Sequence, residues 1–233
     1  MSDFRGYPQA GTSTAGVDQG LRAYMIRVYN YMAMGLAITG LAAFATLNSG
    51  LMPVLFGSPL KWVVLFAPLA MVMFLSFRIQ SMSFGTAQIA FWAFSALMGL
   101  SLAPIALIYT GASIAKVFFI TAATFGSFSL YGYTTKRDLS GMGSFMFMGL
   151  IGVIIASVVN IFLQSSAVGF ALSIMGVLIF TGLTAWDTQK IKSMYYGTNA
   201  AALGHSAIMG ALQLYLDFIN MFTSLLNLFG DRR

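Results

Sequence analysis

Two aspartates are the residues of this chain best suited to chemistry. Asp217 stands near the middle of Gly210–Gly230, GALQLYLDFINMFTSLLNLFG, a stretch apolar and long enough to cross a bilayer. Inserting an aspartate at that depth costs about 2.5 to 3.5 kcal/mol, so it faces protein or water rather than lipid and marks a functional position. Asp187 closes the preceding apolar segment. All six acidic residues are aspartates, and the other four lie in the tails or a loop. If these two carboxylates come within hydrogen-bonding reach in a low-dielectric setting, they cannot easily both carry charge, and a shared proton makes the pair a proton sensor. On position alone, Asp187 is equally an ordinary helix-end residue at the membrane interface.

Around Asp217 the last segment carries further polar and small residues. Ser206, Gly210, Gln213, Asp217, Asn220, Ser224 and Asn227 follow one another at alternating steps of four and three, and so share one helical face. Such a stripe cannot face lipid. It faces either neighbouring helices, as a seam of side-chain hydrogen bonds, or a hydrated path, and in both cases the helix that carries it is central.

The elements that position these residues follow from composition. Hydrophobic residues make up 58% of the chain and charged residues 8%, against about 25% charged in a soluble domain, which excludes a soluble fold. The expected class is all-α, a polytopic membrane protein with seven transmembrane helices and the last one central. The spans are placed at 28–50, 60–77, 86–108, 113–133, 143–163, 168–188 and 206–229, separated by breakers such as Pro53, Pro59, Gly85, Gly111 and Gly141. Residues 1–27, polar and without a cleavable leader, are expected to form a disordered cytoplasmic tail, and 28–233 a single transmembrane domain. Gly149, Gly152 and Ala156, and Ser173 with Gly176, have the spacing of close helix contacts. Trp62, Trp92, Trp186, Tyr195 and Tyr196 suit interfacial belts.

The absence of cysteine removes thiolate metal sites and thiol nucleophiles, and one histidine, His205, makes no metal cluster; it reads as a helix-entry residue. The net charge of +6 comes from basic residues scattered between apolar runs rather than from a stripe, which argues against nucleic acid. They read instead as topology signals. With the amino terminus cytoplasmic, Arg5, Arg22, Arg27, Arg78, Lys136, Arg137, Lys190 and Lys192 lie inside and Lys61 and Lys116 outside. Arg232 and Arg233 then lie outside after seven crossings, or inside if the last segment is re-entrant; its 24 residues from Ser206 to Phe229, about 36 Å of helix, favour crossing. This orientation brings Arg78 and Asp187 to one membrane face, where Arg78 reads first as a positive-inside anchor snorkelling to the headgroups and second as a partner for Asp187.

The run Gly210–Phe222, preceded by Thr184-Ala-Trp-Asp187-Thr-Gln189-Lys-Ile191 and Tyr195-Tyr196-Gly197, resembles the Bax inhibitor-1, or transmembrane Bax-inhibitor-motif, family, and its bacterial branch most closely. The resemblance covers most of the chain outside the first twenty residues. It implies six helices around the last one and a pH-sensitive calcium leak, in a bacterial cytoplasmic (inner) membrane. It implies Asp187 and Asp217 as the pH-sensing pair and Arg78 as a latch to them. Trp186 departs from the aromatic such as Tyr expected before that aspartate. The bacterial branch also implies a possible partner, a membrane-bound ATP-dependent protease.

Three function classes follow. A channel would use Asp187 and Asp217, with Asn220 and backbone carbonyls, as transient oxygen ligands for permeating calcium; no resident cofactor is called for, and binding is weak because calcium prefers six to eight oxygens. An intramembrane aspartyl protease would use the pair as acid and base, but Leu228, Phe229, Gly230 and Asp231 do not make the Gly-x-Gly-Asp motif that such enzymes carry. A regulator would instead bind a membrane partner. A retinal receptor is disfavoured because the last helix holds no lysine.

Overall fold

The computed structural model describes residues 14–199 and 202–233. In chain order its helices are α1 (Thr14–Asn48), α2 (Met52–Phe56), α3 (Leu60–Arg78), α4 (Phe84–Leu102), α5 (Ile105–Ile108), α6 (Gly111–Thr134), α7 (Ser140–Leu163), α8 (Ser166–Gly197) and α9 (Leu203–Phe229). All but α2 and α5 are long and apolar enough to cross a membrane, which makes seven spans. The starts follow local chemistry. Ser83, Thr110 and Ser165 each accept a backbone N–H from the first turn of the helix that follows, at 3.2, 3.3 and 3.4 Å. Gln164 ends α7 in the left-handed region at φ 47°, and Gly50 ends α1 at φ 70°.

Two boundaries differ from the sequence reading. The expected tail limit at residue 27 falls inside α1, which is helical from Thr14; residues 1–13 lie outside the described part. More consequentially, α8 does not stop near 188 but continues to Gly197. Apolarity measures how much helix the bilayer covers, whereas Gln189, Lys190 and Lys192 are good helix formers that extend it beyond.

The helices form two layers of three, with α9 between them. One layer is α3, α4 and α1 in spatial order, the other α7, α8 and α6, and α9 packs against α1, α4, α6 and α8. In its spanning window 67% of α9 is buried, against 0% for α7 at the layer edge. Close approach within layers relies on missing side chains: a Cβ on Gly99 would lie 2.4 Å from the Thr39 carbonyl oxygen, and one on Gly132 2.1 Å from that of Ala185. Of the small residues singled out above, Gly149 packs on Ile179 and Gly176 on Ser224, whereas Gly152 faces open space.

The face of α9 opposite the stripe is aromatic. Fully buried Tyr215 packs edge-on to Phe91 and Phe94 of α4, with centroids 6.2 and 5.3 Å away, and its hydroxyl meets Thr39 Oγ1 of α1 at 2.6 Å. Phe218 makes the equivalent contacts to Phe118 and Phe125 of α6 at 5.4 and 5.6 Å. Beyond α9 the chain is clamped to the turn before α6: Thr110 N–H donates to the Asp231 carbonyl at 3.0 Å, and Arg233 N–H to that of Ile108 at 2.9 Å. Tyr109 completes the clamp, donating its hydroxyl to Asn227 Oδ1 at 2.8 Å.

The aromatic belt is realised only in part. Trp62 and Tyr196 are exposed, but Trp186 packs against Gly143 of α7, Trp92 Nε1 is buried, and Tyr195 packs at a tilt against Tyr24 with centroids 5.7 Å apart. His205 is indeed at a helix entry, where a ring nitrogen meets the Met82 carbonyl at 2.9 Å.

Candidate functional site

Helices α8 and α9 form an antiparallel hairpin whose register is fixed along its length. Gly176 faces Ser224, the Thr181 hydroxyl faces the Met221 sulfur at 4.0 Å, and Gly210 faces Ile191. This register brings Asp187 and Asp217 within hydrogen-bonding reach of each other. The extension of α8 is what allows it: Asp187 stands ten residues before the helix end rather than at it, and so meets the deep Asp217.

Both carboxylates are buried, Asp187 at 8% and Asp217 at 4% exposure. Asp217 Oδ2 has no hydrogen-bond donor among the described residues. Two ionised carboxylates have no hydrogen to offer each other, so this arrangement is satisfied when one proton lies between them or a cation lies against them. Lys190 stands one turn beyond Asp187 on α8, and its amine lies 5.0 Å from the Trp186 ring centroid.

The pair opens into a cavity of about 870 Å³. Its back wall is the α9 stripe, of which Gln213, Asp217, Asn220, Ser224 and Asn227 line it, joined by Thr223. Its lips are apolar, with Leu69 and Val72 of α3 on one side and Phe147, Ile154 and Val158 of α7 on the other. The cavity therefore lies between the free edges of the two layers. Along the wall Asn227 is exposed, Ser224, Thr223 and Asn220 are half-buried, Asp217 is buried, and Gln213 beyond it is half-buried again. At the remote end of the stripe, Ser206 and Gly210 are buried and outside the cavity lining.

The stripe is not a seam of bonds between helices at its centre. The Asn220 amide donates back to the Leu216 carbonyl of its own helix at 2.8 Å, and Gln213 Oε1 is buried without a donor. Among the described residues, only Asn227 of the stripe has a side-chain hydrogen bond to a neighbouring element, through Tyr109. Neutral oxygens and two carboxylates thus face one shared space.

Arg78, the residue expected to latch the pair, is exposed at the end of α3 and is not among the residues lining the cavity. Lys190 is the cation found there instead. Its spacing of three from Asp187 on one helix was the available signal. The far wall also carries Ser157, Asn160 and Ser173, whose polarity was submerged in long apolar runs. No group of three or more histidine, aspartate or glutamate residues that could hold a metal occurs among the described residues.

The chain is 51% identical to an uncharacterized protein of Rickettsia prowazekii over 93% of its own length and 92% of the relative's. It is 48% identical to the inner membrane protein YbhL of Escherichia coli, covering 92% of this chain and 94% of that one. An uncharacterized protein of Caulobacter vibrioides is 45% identical end to end. The family model for the inhibitor of apoptosis-promoting Bax1 matches residues 21–233, a stretch that holds most of α1 and all of the other six long helices, the paired aspartates and the polar wall of α9. The chain belongs to the family of inhibitors of apoptosis-promoting Bax1.

Proposed function

We propose that this protein is a pH-sensitive leak for calcium in a bacterial inner membrane, with the cavity behind α9 as its path and Asp187 and Asp217 as its proton sensor. The observation that carries the reading is the pair of buried carboxylates on a polar wall that reaches the exposed Asn227. A buried carboxylate pair without a full ligand shell suits passage rather than storage, because a hard cation there must complete its six to eight oxygens with water. Conduction requires binding that is weak enough to release.

Gating follows from charge. Ionised, the pair attracts a basic side chain; a proton taken up by the pair lowers its charge and releases that side chain. Arg78 plays this part when α3 moves toward the cavity. Helix α3 packs chiefly on α4 among the spanning helices and carries Arg78 exposed at its end, which supports a latch made by movement of α3. The leak then rises as pH falls.

The test is calcium flux into proteoliposomes across a pH series, for the parent chain and for Arg78→Ala. A latch predicts that the variant already leaks at alkaline pH. An unaltered profile reduces Arg78 to a topology anchor, and an inert parent chain at every pH removes the leak and favours the regulator of a membrane-bound protease.

A further inference from the structure

On the side of the molecule away from the Asp187 and Asp217 cavity, α1 and α6 leave a groove of about 550 Å³ between them. Its walls are Met25 and Ile26 of α1 and Phe125 and Leu130 of α6. Ile26 and Leu130 are 48% and 63% exposed, so the groove opens outward, where a spanning chain meets acyl chains. Gly126 leaves its middle vacant: a Cβ there would find no atom within 4 Å. The floor is closed by polar groups that satisfy one another, Tyr29 hydroxyl to Ser129 at 2.6 Å and Ser129 to Thr188 of α8 at 2.9 Å. This chain of hydrogen bonds ends on the Thr184 carbonyl, so its three hydroxyl protons are all spent and the floor has no donor left to offer, which suits a hydrocarbon.

Charge gathers at one end. Arg22 is an exposed member of the lining, and Tyr133, on the same end of α6, sits under the Lys192 amine at 5.0 Å from its centroid. An apolar slot of this kind, whose one lining cation, Arg22, stands at its mouth, matches an amphiphile with a negative head and a hydrocarbon tail. Arginine suits the phosphate because its planar fork donates two parallel hydrogen bonds.

We propose that this groove binds an anionic phospholipid from the surrounding bilayer, its phosphate on Arg22 and one acyl chain lying past Gly126. The site is separate from the proposed leak path and does not depend on it.

The purified full-length protein, offered an equal mixture of phosphatidylglycerol and phosphatidylcholine in detergent, tests this by native mass spectrometry of the lipid it retains. The parent should keep phosphatidylglycerol in preference by about fivefold or more, the factor one basic contact supplies at a membrane surface. Arg22→Gln and Gly126→Phe should each abolish that preference, the first by removing the phosphate contact and the second by filling the slot. Gly126→Leu replaces the larger variant if it does not fold. Arg27→Gln is the control, since Arg27 lines a different surface cavity between α1 and α4 and should leave retention unchanged. Equal retention of the two lipids by the parent overturns the proposal, as does undiminished preference in the filled-groove variant. An equal loss from Arg27→Gln also overturns it, by showing a general effect of the basic end of the bundle.

Discussion

Lys190 stands one helical turn beyond Asp187 on α8, and both line the cavity that Asp217 also lines. A positive neighbour favours the ionised pair, so its removal should let the pair take up a proton more readily. Lys190→Gln should displace the leak profile toward higher pH, with calcium flux near neutrality exceeding that of the parent. A displacement of one pH unit corresponds to about 1.4 kcal/mol of lost interaction. Flux against pH in proteoliposomes measures it, and an unmoved profile would separate Lys190 from the sensor.

Asp217→Asn should retain the fold and lose the pH response. The amide keeps the shape and supplies a donor to Asp187, so melting in detergent should be unchanged or higher, while the flux profile becomes flat. Asp217→Leu should also disturb packing along the polar wall. If the Asn variant kept the parent's pH dependence, Asp217 would have no part in sensing.

Tyr215→Phe tests the anchoring of α9. It removes the 2.6 Å contact to Thr39 but leaves Thr39 Oγ1 its carbonyl acceptors at Gly35 and Ser95, so the cost should be about 1 kcal/mol. Tyr215→Ala, which empties the aromatic site, should cost about 3 to 5 kcal/mol. Denaturation in mild detergent would rank the two.

Orientation is checked with thiols, because the chain has no cysteine of its own. A single cysteine at Lys136 should react with an impermeant reagent only from the cytoplasmic side, and one at Lys61 only from the other. The reverse pattern would invert the topology.

One pH effect lies outside the membrane. Ser140 donates its backbone N–H to Asp138 Oδ1 at 2.9 Å at the start of α7, and hydrogen bonds from Ser140 hold this carboxyl below its usual range. A lowered value means that the contribution to stability is present above the unfolded value of about 3.9 and is lost as pH falls through the folded one. The melting difference between the parent and Asp138→Asn should therefore be present at neutral pH and vanish in strong acid.

The seven spans and the polar face of α9 were legible because both rest on simple periodicities, bilayer length and helical pitch. The meeting of Asp187 with Asp217 was legible only as a possibility. It depends on α8 running on to Gly197, where lysine and glutamine carry a helix past the point at which apolarity fades. The contrast between Arg78 and Lys190 was illegible for a different reason. Both are basic residues near one end of the bundle, and which of them lines the cavity is decided by the position of α3, an edge helix whose packing no local pattern encodes.

The clamp of Thr110 and Ile108 on Asp231 and Arg233 acts on the same helix that Tyr215 and Phe218 fix at mid-height. Pinned at two levels on its aromatic side, α9 cannot turn about its own axis without breaking both. It is the stator of the molecule, and its polar wall keeps a constant heading. Any change in the aperture must come from the rim, by sliding of α3 and α7: α3 meets the cavity with Leu69 and Val72, and Ser157 and Asn160 of α7 make no hydrogen bond to α9 among the described residues, so both helices can shear without breaking one across it.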